Sequence, residues 1–213
     1  MYSLSPRLSA WLIGALLPLT VQGGSIPQQE YEQVLRSKPD LVHGEALFET
    51  CAACHGPKGA GVADGTVPAI AGQHYHVIAR QLVDYRHDKR WDLRMEHFTD
   101  QHHLGGAQDI ADVATFVSQL AVSKATDYGN GEYLQHGAEV YAHLCASCHG
   151  AAGEGDNRDG NPRLSGQHYD YLLRQMNDAL EGRRPNFPPN HVGLLQHLAP
   201  DDLASVADYL TRL

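Results

Sequence analysis

A chain of 213 residues with 25 acidic against 16 basic side chains, and a formal net charge of −9, makes a poor partner for nucleic acid or for an anionic lipid surface. Its length allows one domain or two small ones, each with a packed core. The 14 histidines and four cysteines are the residue types that call for a chemical explanation.

Arg7 is the only charge before the apolar run "SAWLIGALLPLTVQGG". The run is short for a comfortable membrane span, ends in small residues, and is followed by no second hydrophobic stretch. Residues 1–24 are therefore predicted to be a cleavable signal peptide and the product periplasmic, with a retained membrane anchor as the lesser reading. Removing the leader leaves a charge of about −10. Export also makes a disulfide framework the default rival use for the cysteines. Residues 25–40, "SIPQQEYEQVLRSKPD", read as an extended N-terminal lead-in, either a docking arm or a disordered terminus.

The rest of the chain is written twice. Displaced by 94 residues, Cys51, Cys54 and His55 fall on Cys145, Cys148 and His149, and "PAIAGQHY" from Pro68 falls on "PRLSGQHY" from Pro162. Arg80-Gln81 meets Arg174-Gln175, Arg90 meets Arg184, and Leu104 meets Leu198. The offset then changes by one, so that "DIADVATFVSQL" pairs with "DLASVADYLTRL". A period of this length marks a duplicated small domain. The expected division is domain 1 over 41–122, a linker over 123–132 and domain 2 over 133–213.

Each copy reads as all-α. A helix runs into the cysteine motif. A second follows GQHY, with Val77, Ile78 and Leu82 in one copy and Tyr171, Leu172 and Met176 in the other. The last helix carries Ile110, Val113, Phe116, Val117 and Leu120 on one face, matched by Leu203, Val206, Leu210 and Leu213. Glycine- and proline-rich loops separate these helices, and strand signals are weak.

A domain of roughly 80 residues buries little surface and usually needs a staple or a large cofactor. Two thiols spaced by two residues can bond the two vinyl groups of one porphyrin, and the histidine directly after them can reach the iron. C-x-x-C-H is the attachment signal for c-type haem, and it occurs here at equal positions in both copies. Zinc held by four thiolates would need equivalent faces of two domains to converge on one ion, and leaves the histidines without purpose. Two disulfides likewise leave His55 and His149 unexplained. The expectation is two covalently bound haem c groups, on Cys51 and Cys54 and on Cys145 and Cys148, with His55 and His149 as proximal iron ligands.

"GEALFETCAACHG", "PAIAGQ", Arg80-Gln81-Leu82, "DKR" at 88–90 and "DIADVATFV" together resemble a class I cytochrome c domain. The doubled arrangement resembles the dihaem cytochrome c4 type, over roughly residues 41–213. The resemblance implies two tandem cytochrome c domains facing each other, a periplasmic location and electron-carrier work. It also implies that Pro68 and Pro162 offer carbonyls to the proximal imidazoles. The c4 type generally uses methionine as the distal ligand of each haem, and here the sequence departs from it. Besides Met1 the chain has only Met95 and Met176. Met176 matches Leu82 and reads as a core packing residue.

Three further histidine pairs survive the displacement: His74/His168, His97/His191 and His103/His197. The first reads as a helix cap or surface residue, and the last as a propionate partner or a solvated side chain. His97 and His191 lie in the segment that supplies the distal ligand in the family, so they are the candidate distal ligands, with Met95 as the alternative to His97. His102 and His103 are weaker candidates. His43, His76, His87, His136 and His143 lack repeat partners and read as solvent-facing.

Bis-histidine ligation would place the haems at lower potential than histidine–methionine ligation. Six-coordinate iron suits a single-electron carrier exchanging with donor and acceptor proteins, docked through charge complementary to the acidic surface. Nucleic acid and stable membrane insertion are not expected. Two alternatives stay open. One is a haem enzyme acting on a small sulfur compound or peroxide at one open haem, with His102, His103 and Asp100 as acid–base groups. The other is the electron-transfer subunit of a periplasmic dehydrogenase.

Overall fold

The structure, a computed structural model, describes residues 24–124 and 127–213; the expected signal peptide lies, but for Gly24, outside them. Ten helices account for the regular structure there: α1 (Ile26–Arg36), α2 (Leu41–His55), α3 (Tyr75–Arg86), α4 (Leu93–Thr99), α5 (Ala107–Gln119), α6 (Leu134–Leu144), α7 (Ala146–His149), α8 (Tyr169–Leu180), α9 (Pro189–Leu195) and α10 (Pro200–Leu210). One isolated bridge, Asp156 to Asn161, is the only β-type pairing among the described residues. No helix among them is long and apolar enough to cross a membrane. The all-α, duplicated architecture is as expected.

In each half the helix that leads into the cysteine motif crosses the closing helix. Asp40 starts α2 by accepting from the Val42 and His43 amides at 2.9 and 3.2 Å, covering donors that a helix start leaves without partners. α5 turns Ile110, Val113, Ala114 and Val117 into a core with Phe48 of α2 and Ala79 and Val83 of α3. The second half repeats this with Tyr141, Leu172, Val206, Ala207 and Leu210. The crossings are tight because a glycine sits at each. A Cβ on Gly44 would lie 2.3 Å from the Asp112 carbonyl oxygen, and one on Gly137 2.1 Å from that of Ser205. Met176 packs against this core as expected, whereas Leu213 lies past the end of α10 and is 41% exposed.

The segment expected to be extended is helical. α1 packs across α3 and α5 with Val34 fully buried. Arg80 lies 3.6 Å from the centre of the Tyr31 ring and donates to Gln28 at 2.9 Å, while Arg86 pairs with Glu30. Its proline stands in the first turn, where a helix tolerates one because that amide has no intrahelical acceptor. Among the described residues α1 has no counterpart in the second half.

The two halves meet across a pseudo-twofold interface built by the GQHY motifs. Gln73 donates to the Arg163 carbonyl and accepts from its amide, both at 2.9 Å. Gln167 does the same to Ala69 at 2.8 and 3.0 Å. His74 Nε2 meets the Glu154 carbonyl oxygen at 2.8 Å, and His168 Nε2 meets that of Ala60 at 2.8 Å. Self-complementary contacts of this kind belong to an isologous interface. His74 and His168 stand at the N-cap positions of α3 and α8 as read from the sequence, but their side chains make no capping bond and instead bridge the domains.

Candidate haem sites

Cys51, Cys54 and His55 occupy the last turns of α2, where positions three and four apart share a face. In domain 2 the helix breaks at Cys145, yet His149 N still bonds the Cys145 carbonyl at 3.0 Å, so the motif keeps its local form. All four thiols are free and no disulfide joins them. Cys51 and Cys145 are half-buried, and burial pushes the Cys145 thiol up to about 11; Cys54 and Cys148 are exposed.

Both proximal histidines are buried and equally constrained. His55 Nδ1 lies 2.9 Å from the Pro68 carbonyl oxygen, and His149 Nδ1 3.0 Å from that of Pro162. A carbonyl only accepts, so Nδ1 carries the hydrogen and Nε2 keeps its lone pair for a metal. Burial lowers both pKa values, holding the rings neutral, as ligation requires. Glycines bring the proline carbonyls into place. Gly61 and Gly155 take positive φ, 72° and 69°, and a Cβ there would come within 2.6 Å of Pro68 or Pro162 backbone atoms.

The distal side differs between the domains. In domain 2 the His191 ring stands opposite His149, with centroids 6.0 Å apart. Phe187 stacks on it at 4.9 Å, and Arg184 covers Phe187 at 4.3 Å. Burial, then the charges of His149 and Arg184, lower the His191 pKa. In domain 1 the structure does not bring His97 to His55. The His97 side chain is 62% exposed, and its ring packs on Phe98 and His103. The charges that reach His55 from the start of α4 are those of Arg94 and of the N-cap Asp92, both just ahead of the half-buried Met95 in the chain. The helix registers explain the difference. Met95 is the third residue of α4 and His191 the third of α9, and the buried Thr99 and Leu195 close the two helices. By helix position His191 corresponds to Met95, two residues away from the correspondence in the uniform repeat.

Positive charge gathers where the domains meet. Buried Arg90 donates to Gln81 at 2.6 Å and, across the interface, to Tyr171 and Gln175 at 2.7 Å each. Burial and the Arg90 charge press the partly enclosed Arg184 guanidinium down to about 9. Arg90 stays charged in its bond to the Tyr171 hydroxyl. The arginine ion pairs among the described residues are made instead by Arg36, Arg86, Arg94, Arg183 and Arg212. Arg90 and Arg184 make no direct ion pair among the described residues, and the buried Asp84 acts on both only at longer range; the two cations suit an anionic cofactor, and haem propionates would supply that charge. The free thiol pairs, neutral imidazoles with open Nε2 atoms and this cationic seam all fit haem c.

One structural pair escaped the sequence comparison. His43 Nδ1 meets Asp112 at 2.8 Å, and His136 Nε2 meets Asp202 at 2.5 Å. Both histidines immediately precede the crossing glycines Gly44 and Gly137, which are 93 residues apart, so the 94-residue displacement hid their equivalence.

The cytochrome c family model matches the chain twice, over residues 41–121 and 134–213. The cytochrome c4 of Azotobacter vinelandii is 31% identical over 191 residues, covering 82% of this chain and 89% of that protein. The thiosulfate dehydrogenase electron acceptor of Stutzerimonas stutzeri is 27% identical over 176 residues, covering 76% and 78%. The crystal structure of reduced recombinant cytochrome c4 from Pseudomonas stutzeri superposes with a TM-score of 0.73 at 26% identity, covering 83% of this chain and all of that one. The chain belongs to the cytochrome c family, as a two-domain, cytochrome c4-like electron carrier with two covalently bound haem c groups.

Proposed function

We propose that the protein is a periplasmic relay for single electrons with two differently ligated haems: His55 with Met95 in domain 1, and His149 with His191 in domain 2. When bound, haem supplies an iron that gains and loses one electron. The residues around it fix its ligands and exclude others. The observation that carries the reading is the apposition of His149 and His191 rings at 6.0 Å. Two imidazoles that would both hold one metal ion through nitrogens at about 2 Å fit a separation of this size. Phe187 holds the His191 ring and Pro162 the His149 ring, so both side chains keep their orientation through a change of oxidation state.

The reading argues against an open catalytic haem in domain 2. The test is addition of cyanide or carbon monoxide to the purified dihaem protein, with His191→Ala alongside. The expected result is little binding by the unmodified protein and a high-spin, ligand-accessible second haem in the variant. Ready binding by the unmodified protein would overturn the carrier reading in favour of a haem enzyme.

The acidic surface, with its net charge of −9, favours a redox partner carrying a basic patch, and docking weakened by salt. Export rests on the apolar N-terminal run. Service as the electron acceptor of a dehydrogenase that oxidises a small sulfur compound is a second reading. It is supported by the 27% identity to the thiosulfate dehydrogenase electron acceptor.

A further inference from the structure

We propose that His97, Asp100 and His103 form a binding site for one divalent transition-metal ion of the zinc and copper class on the surface of domain 1. The proposal rests on the reading above in that Met95, not His97, serves the first haem.

The site is a folded-back turn at the end of α4. Asp100 Oδ1 accepts from the amides of His102 and His103 at 2.9 and 3.1 Å, which reverses the chain. The His103 ring then lies edge-on to His97, with centroids 4.4 Å apart. The Asp100 carboxylate offers each ring a different oxygen. His103 Nδ1 is 2.9 Å from Oδ1, and His97 Nδ1 is 3.8 Å from Oδ2. The three ligand atoms lie within 4.8 Å of one another. Donors that hold an ion at about 2.0–2.2 Å sit roughly 3–4 Å apart, so the cluster closes on a metal through small side-chain movements.

The turn is pinned. Arg86, whose side chain is 4% exposed, donates to the Thr99 carbonyl at 2.7 Å and to the Leu104 carbonyl at 2.6 Å, clamping both ends. Thr99 and Leu104 are themselves buried, at 1% and 4% exposure. Three ligands on a braced turn pay little ordering entropy on binding. Two imidazoles and one carboxylate favour zinc, copper or nickel over magnesium and calcium, which prefer all-oxygen shells. With the side chains of His97, Asp100 and His103 62%, 37% and 30% exposed, water can complete the coordination.

The site belongs to one half only. In the 94-residue displacement the histidines fall on His191 and His197 but Asp100 falls on Leu194, and by helix position His97 falls on Gly193. The other such grouping among the described residues, His43 with Asp109 and Asp112, is already spent on structure. The Asp112 side chain is 1% exposed and accepts from the Asp40 amide, Gln108 and His43.

The test is zinc titration of the chelator-treated dihaem protein by calorimetry, with visible spectra and circular dichroism on each variant. One ion per chain is expected. Affinity should fall by about tenfold or more in His103→Ala and in Asp100→Asn, and stay unchanged in His102→Ala and His43→Gln. Zinc binding that survives His103→Ala, or is lost in His43→Gln, overturns the proposal, as does the absence of one-to-one binding. His97→Ala separates this site from the haem reading. A low-spin first haem in that variant, with zinc binding lost, supports both. Conversion of the first haem to high spin, with the second haem and helix content intact, makes His97 an iron ligand and removes both the Met95 assignment and the metal site.

Discussion

A histidine's role here is set by what its second ring nitrogen touches. The proximal pair give Nδ1 to a proline carbonyl, the GQHY pair give Nε2 to the opposite domain, and His43 and His136 give theirs to carboxylates on the closing helices. The hydrogen bond to Asp112 raises the His43 pKa, with smaller help from the charges of Asp109 and Asp40 facing the same ring. A base whose folded pKa exceeds its unfolded value of about 6.5 binds its proton more tightly when folded. Its stabilisation is complete below that pH and is lost as pH rises through the folded pKa. Urea midpoints measured from about pH 6 to 8 should therefore fall more steeply for the unmodified protein than for His43→Gln; equal slopes would remove the ion pair from the account. The C-x-x-C-H residues were legible in the sequence because covalent attachment fixes their spacing in a contiguous string. The first distal ligand was not, because Met95 and His97 are two residues apart and the sequence leaves both open; the proposed choice of Met95 rests on the helix position it shares with His191.

Helix starts and crossings carry the differences between the two halves. α2 runs unbroken to His55, whereas its counterpart breaks at Cys145 and holds one more residue between the crossing glycine and the first cysteine. The insertion is absorbed at the break, so that both the crossing and the C-x-x-C-H turn survive. Gly137 is the fixed point of that arrangement. In Gly137→Ala the new methyl would meet the Ser205 carbonyl, and separating the helices should cost about 1–3 kcal/mol, read as a lower denaturation midpoint with the haem spectrum retained. A midpoint equal to that of the unmodified protein would mean that the helices do not cross so closely. The core helices were legible from their apolar periodicity. α1 was not, because its sequence has no second copy and "SKP" after Arg36 reads as a breaker. Its one fully buried residue, Val34, gains its place only through the α3 and α5 surfaces.

At the scale of the molecule, duplication produced both the domains and the surface that joins them. The repeated GQHY strings were visible as a match, but a match does not say whether residues share a fold position or an interface, and here Gln73, His74, Gln167 and His168 do both. With the proposed ligands, symmetry in the backbone and asymmetry in the distal positions would give two electron sites of unequal potential in one frame, the thioether haem the higher. The most direct test is low-temperature EPR and near-infrared spectroscopy of the oxidised protein. One bis-imidazole low-spin haem, lost in His191→Ala, and one haem with a thioether charge-transfer band, lost in Met95→Ala, are expected. Two identical bis-imidazole haems, or any high-spin haem in the unmodified protein, would contradict the proposed ligation.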